Sequence, residues 1–341
     1  MMNDIKNMFE HLIINSKPVY YIEDCLTALG TQYPQTETDD TDNEEEIETK
    51  EDIAESFRTC VYLCNEEELA FLNFAVEMTE KKVAWEENVE YYPFSAFAFN
   101  NFAYLFSYGE GLYLVLPAEL IDIYRQVTSE ENFSQVNARN RALSDYATAL
   151  CNLYGAYEME QFANVWNQHR KDKITVSEAE KFLADRAGFE SEYYILDSFV
   201  VHACLFYDDF YELFDDIYDM DYYMPTKSVI KAYADKDALK TAEHKEMEAF
   251  LKEFIEDESA LEDLFFEIGY SCERLLSPEE VRSILEEAGA PLDSAAFCKR
   301  FEQLFNSLRL NTHVWELGGF TPHQYQAATG KSIPRFALPK K

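Results

Sequence analysis

Tyr193-Tyr-Ile-Leu-Asp-Ser-Phe-Val-Val201 reads as two short strands turning at Asp197-Ser198. What precedes it decides how that hairpin is used. A helix over about Gln135–Tyr154 stops at Gly155, a residue suited to the left-handed turn that ends helices. A second helix follows over Glu158–His169. A third starts at Thr175, with Glu178 three residues on in a capping-box pattern, and ends before Gly188. Helix, helix, helix and β-hairpin in this order is the plan of a winged helix-turn-helix module.

Upstream, Leu105-Phe-Ser-Tyr-Gly-Glu-Gly-Leu-Tyr-Leu-Val-Leu116 carries the Gly109–Gly111 pair between apolar runs, a second hairpin signal. It follows a helix over Glu66–Lys81 and the Phe- and Tyr-rich stretch Pro93–Leu105; Pro117 then opens a helix over Ala118–Val127. Tyr113-Leu-Val-Leu-Pro-Ala-Glu-Leu120 echoes Phe199-Val-Val-His-Ala-Cys-Leu205, which suggests two related modules. After Pro225 the pattern is wholly helical, with helices near 226–237, 241–256 and 259–270. A capped start at Ser277-Pro-Glu-Glu280 comes next, then a last long helix over about Asp293–Leu308.

At the other end, Ile5, Met8, Phe9, Leu12 and Ile13 share one face of an expected helix over 3–14. Thr36–Glu55 is a dense run of carboxylates. The expected organisation is therefore a helical segment 1–35, an acidic linker 36–56 and winged-helix-like modules 57–134 and 135–224. A helical C-terminal domain 225–325 and a basic tail 326–341 complete it. The fold class is mainly α, with short β-hairpins.

Length and composition agree with this. A chain of 341 residues, 47% hydrophobic and 15% aromatic, has ample material for two or three cores. Seven cysteines, odd in number and scattered through apolar patterns, suit reduced thiols, and no apolar run reaches membrane-span quality. Both point to a cytoplasmic protein. The formal net charge of −36 repels nucleic acid and anionic membrane and attracts basic partners.

Asn311-Thr-His-Val-Trp-Glu-Leu-Gly-Gly-Phe-Thr-Pro322 resembles a recurrent element of bacterial proteins associated with the SEC-C motif: Asn311, Thr312, Trp315, Gly319, Phe320, Thr321 and Pro322 carry it. Asn152-Leu-Tyr-Gly155 with Phe162 and Asn167, and Tyr223-Met-Pro-Thr-Lys227 with Ala232 and Tyr233, are similar to the same group, so the resemblance spans roughly residues 100–322. It implies a fold and no activity. The zinc-binding tail of that group needs a Cys-x-Cys pair, and no cysteine follows Cys298 here, so no zinc role is carried over.

The chemical readings are few. Cys60 and Cys64 share a helix face, but no second close Cys/His pair completes a zinc set. The acidic run Asp208, Asp209, Glu212, Asp215, Asp216, Asp219 and Asp221 lacks the glycine of a calcium loop, while Phe210, Leu213, Phe214 and Ile217 follow helical spacing. An acidic helix face is the expectation there. No Gly-x-Ser-x-Gly stretch occurs, and neither Gly109-Glu-Gly111 nor Gly330-Lys331-Ser332 makes a phosphate loop. His169 ends a helix, where a charge would suit the dipole, and His202 reads as structural; His313 and His323, flanking Trp315, are the one pair of histidines that is a functional candidate.

No enzyme, cofactor or metal is expected. DNA binding, which the winged plan invites, would use Lys181 and Arg186 of the third helix, but no basic residue lies between Arg186 and Lys227 or between Lys82 and Arg125. The charge therefore favours a protein-interaction or regulatory role with a basic partner, or mimicry of nucleic acid. A winged-helix DNA-binding regulator is the alternative, and a metal-dependent enzyme the third.

Overall fold

Thr49 ends the acidic run by starting a helix. Its hydroxyl accepts the Asp52 N–H at 3.2 Å, and the Asp52 carboxylate accepts the Thr49 N–H at 2.9 Å, closing a capping box. The computed structural model describes residues 20–32, 49–84, 93–108, 111–189, 192–218, 220–235, 241–255 and 257–339. The helix expected over 3–14, and residues 36–48 of the expected linker, lie outside them. Residues 50–56 are helix rather than linker, because Ile53, Phe57 and Val61 carry a buried face through the charged stretch.

In chain order come α1 (Ile22–Gln32), α2 (Lys50–Leu63), α3 (Glu66–Lys81), α4 (Phe94–Phe99), β1 (Tyr104–Tyr108), β2 (Gly111–Val115) and α5 (Ala118–Thr128). Next are α6 (Phe133–Tyr154), β3 (Ala156–Glu158), α7 (Met159–His169), α8 (Val176–Ala187), β4 (Tyr193–Leu196), β5 (Phe199–His202) and α9 (Tyr207–Ile217). The C-terminal region holds α10 (Lys227–Ala234), α11 (Ala242–Leu251), α12 (Glu258–Glu273), α13 (Pro278–Glu287), α14 (Ala295–Asn311), a 3-10 turn (Trp315–Leu317) and α15 (Pro322–Thr329). The chain is thus mainly α, with two small antiparallel sheets among the described residues and a helical C-terminal region.

It divides into two units: Met1–Ser144 with Ala184–Glu190, and Asp145–Leu183 with Ser191–Lys341. Neither unit is limited at residues 57, 135 or 225, where local composition placed boundaries; each unit gathers segments distant in sequence.

In the first unit, β1 and β2 pair from Tyr104↔Val115 to Tyr108↔Gly111, and the sheet is two-stranded. Phe57, Leu72, Phe94, Phe102, Leu116 and Leu120 fill its core, with Phe57 and Phe102 rings edge to face at 5.0 Å. Beneath the α2–α3 turn lies a buried ion pair. Glu68 accepts two hydrogen bonds from Arg186, at 2.8 and 2.9 Å, and a third from the Asn65 N–H that opens α3 at 2.7 Å. Cys60 and Cys64 are buried beside it, Sγ to Sγ 3.9 Å, with burial pushing the Cys64 thiol well up.

In the second unit, the sheet order is β3-β5-β4. Ala156 pairs with Val201 and Tyr194 pairs with Val201 from the other side, so β5 is central. The short strand β3 was not foreseen; the observed succession is helix, strand, helix, helix, hairpin. The C-terminal helices build a separate core of Leu264, Ile268, Val281, Leu285, Phe301 and Phe305. The expected basic tail is not a tail. Residues 322–329 are α15, and Phe336 and Leu338 are buried in the C-terminal core, held by the Asn306 side chain on both sides of the Phe336 peptide (2.9 and 3.0 Å) and by Glu302 at 2.9 Å.

Candidate functional site

The acidic run folds as expected into an amphipathic helix, α9. Phe210, Leu213 and Ile217 are buried with Ala156, Val201, Leu205 and Trp315, and Phe199 meets Phe210 and Phe214 edge to face at 5.6 and 5.5 Å. The opposite face carries exposed Asp208, Glu212, Asp215 and Asp216, with exposed Asp221 beyond the helix; Asp219 lies outside the described residues. Asp209 accepts the Phe206 N–H at 3.2 Å at the helix start, where carboxylates suit the dipole. Asp215 and Asp216 sit in the last turn, where carboxylates oppose it and no basic residue compensates. Stability does not explain that placement.

The Trp315 motif is a packing lock. Trp315 is fully buried, and its indole N–H donates to the Asn152 carbonyl at 3.0 Å. The Asn152 amide donates to the Tyr233 carbonyl at 2.9 Å. His202 accepts the Cys204 N–H on Nδ1, so its Nε2 carries the proton and donates to Asn152 Oδ1 at 3.2 Å. Gly155, at φ +70°, leaves the room Trp315 fills: a Cβ there would stand 2.4 Å from the indole. Gly319, at φ +80°, does the same for Tyr154, whose ring a Cβ would meet at 2.4 Å. The three segments that carried the resemblance therefore meet in one cluster.

The remaining motif residues also have structural work. Thr312 bonds the Leu308 carbonyl at 2.9 Å, and Asn311 bonds that of Ser307 at 2.9 Å. Phe320 packs on Tyr223 at 5.5 Å, and Thr321 caps α15, whose first residue is Pro322. Arg274 bonds Glu316 at 2.8 Å and lies 5.9 Å from the Trp315 ring centre; burial still raises the Glu316 carboxyl.

The two histidines of the pair sit in different surroundings. His313 is buried and donates from Nδ1 to the Gly319 carbonyl at 2.5 Å, with burial holding it below its ordinary value, while His323 is exposed on α15. His169 is not the expected helix-end cation. Its Nε2 donates to the Pro225 carbonyl at 3.0 Å, its Nδ1 accepts from the Tyr146 hydroxyl at 3.1 Å, and burial lowers its pKa.

Beside the lock is a cavity of about 250 Å³, lined by Tyr233, Thr241, His244, Glu273, Thr312 and His313 among others. Burial pushes the Tyr233 phenol far above the usual range, and Glu273 adds to it, so the phenol stays protonated. This polar lining could hold a small hydrogen-bonding molecule. The sequence singled out Tyr233, Thr312 and His313 but not the cavity they share, since its walls come from α10, α11, α12 and α14. Among the described residues, no group of three His, Cys, Asp or Glu side chains is placed to hold a metal ion, and no helix is long and apolar enough to cross a membrane.

Of the two cations expected on the third helix of the winged plan, Arg186 is withdrawn: it is 3% exposed and committed to Glu68. Comparison with known proteins finds no matching family model, no matching curated protein and no matching solved structure.

Proposed function

We propose that this chain is a non-catalytic interaction or regulatory protein of the cytoplasm that binds a basic protein partner. The observation that supports it best is the uncompensated acidic face of α9: Asp208, Glu212, Asp215 and Asp216 are exposed in an interval, Arg186 to Lys227, with no intervening Lys or Arg. Carboxylates kept where they oppose the helix dipole fit selection for binding rather than for folding. Mimicry of a nucleic-acid backbone is the narrower form of this reading, in which the carboxylates stand in for phosphates.

The DNA-binding alternative loses its best residue with Arg186 and would set an acidic hairpin region against phosphates. The relationship to SEC-C-associated proteins remains part of the proposal; the clustering of Asn152, Gly155, Tyr233 and Trp315 gives those residues a common structural reason. Titration of the purified chain against a DNA duplex and against a basic protein, each across a salt series, tests the reading. Binding to the basic protein that weakens with salt is expected; tight, salt-sensitive duplex binding would overturn it.

A further inference from the structure

The outer side of α9 is more than acidic. Phe206, Tyr207, Tyr211 and Tyr218 are 78, 60, 41 and 70% exposed, and no other stretch of the described chain gathers so many exposed large apolar side chains. At 100° per residue, Tyr207, Tyr211 and Tyr218 fall on one stripe, and Asp208, Glu212 and Asp215 fall along the adjacent face. Tyr218 keeps helical backbone angles, so the stripe runs past the last helical residue for about 16 Å. The rings are ordered against one another: Tyr207 and Tyr211 are 4.8 Å apart with their hydroxyls at 3.0 Å, and Tyr218 meets Phe214 at 5.2 Å.

Exposed rings beside carboxylates suit one cation better than the other. A guanidinium is planar, stacks on aromatic faces and bonds a carboxylate in the same pose; an ammonium is compact and strongly hydrated. The protein uses that pairing itself. Arg170 sits 4.7 Å over the Trp166 ring and bonds Asp172 at 3.3 Å; Arg274 lies 5.9 Å from the Tyr270 ring centre and bonds Glu316 at 2.8 Å. Among the described residues, Lys50 pairs with Glu23 and Lys252 with Glu248, and the cations seated over rings are arginines. On α9 the ring and the carboxylate recur, and among the described residues no Arg or Lys pairs with Asp208, Glu212, Asp215 or Asp216.

We propose that the Tyr207–Tyr211–Tyr218 stripe with Asp208, Glu212 and Asp215 is a docking surface for an arginine-rich segment of a partner protein, whose guanidinium groups stack on the rings while bonding the carboxylates. This rests on the basic-partner reading and narrows it from charge to a particular side chain.

The test is calorimetric titration of the full chain with a peptide alternating arginine and glycine, against a lysine–glycine peptide of the same length and charge. Two variants accompany it. Tyr207→Leu/Tyr211→Leu/Tyr218→Leu keeps the charge, and Asp208→Asn/Glu212→Gln/Asp215→Asn keeps the rings; all six positions are exposed or rimming, and circular dichroism checks that both variants fold. The arginine peptide is expected to bind at least about fivefold tighter than the lysine peptide. The preference should vanish in the ring variant, and both peptides should weaken in the carboxylate variant. Equal binding of the two peptides to the unaltered chain, lost only with the carboxylates, overturns the arginine assignment and leaves the basic-partner reading standing. Binding of neither peptide overturns both.

Discussion

Each unit buries a polar lock in its core, and the two are made of different materials. In the first, the Glu68 carboxylate and the Arg186 guanidinium face each other at 2.8 Å with both side chains almost wholly buried. In the second, Asn152, His202, Trp315 and Tyr233 are joined without a formal charge at the centre. A charged lock is costly to halve, since removing one partner strands a buried ion, whereas a neutral lock depends on shape. The glycines make that plain: the second lock needs Gly155 and Gly319 at positive φ, each with an aromatic ring standing where a Cβ would be.

The contrast is broken hardest at the indole and the ion pair. Trp315→Ala should cost about 3–5 kcal/mol, read by denaturant unfolding. Gly155→Ala should cost about 3 kcal/mol or more, from backbone strain and overpacking together. The double variant should cost clearly less than the sum, because removing the indole removes the clash; strict additivity would mean that Gly155 does not serve Trp315. In the first unit, Arg186→Met or Glu68→Gln alone should cost about 3–5 kcal/mol, while replacing both with Met should recover much of the loss. If the double replacement is as damaging as either single one, the pair is more than a charge lock.

Acid sharpens the comparison. His169 and His313 are held below their ordinary value by burial, so the unfolded chain takes up protons first as pH falls. Stability is unaffected well above about pH 6.5, declines as pH drops through that value, and stops declining below the lowered folded values. The only histidine of the first unit is His11, which lies outside the described residues, so the decline should belong to the second unit. His313→Asn should reduce the slope of stability against pH between about 6.5 and the lower folded value; an unchanged slope for both His313→Asn and His169→Gln would refute this account. The smallest effect is on α9: Asp215→Asn/Asp216→Asn should leave thermal stability unchanged or raise it by about 0.5 kcal/mol.

Local chemistry was readable in the chain, and long-range chemistry was not. The capping patterns at Thr175 and Ser277, the stop at Gly155, both hairpins and the amphipathic acid helix all act within a few residues, and the structure has each of them. The strand Ala156–Glu158 is three residues long and exists because β5 presents an edge to it, a fact about residues more than forty positions away. Arg186 looked like a surface cation because its partner is 118 residues distant. His169 was misread for the same reason, since Pro225 determines which nitrogen holds its proton. The Trp315 motif was visible as a pattern, but its purpose lay in Asn152 and Gly155.

The bond from Trp315 to Asn152 spans 163 residues, and that span has a consequence for synthesis. The helices and hairpin of the second unit emerge from the ribosome long before the indole that completes the core under α9. Until Trp315 arrives, Val201, Leu205 and Leu213 lack a wall they share in the finished protein. The growing chain therefore carries an open apolar seam while the roughly one hundred residues between Leu213 and Trp315 are made, and the Trp315 segment closes it. A stop codon shortly before Trp315 would yield a chain with every element of the hairpin region and no stable place to put it, a species for chaperones and proteases rather than for partners.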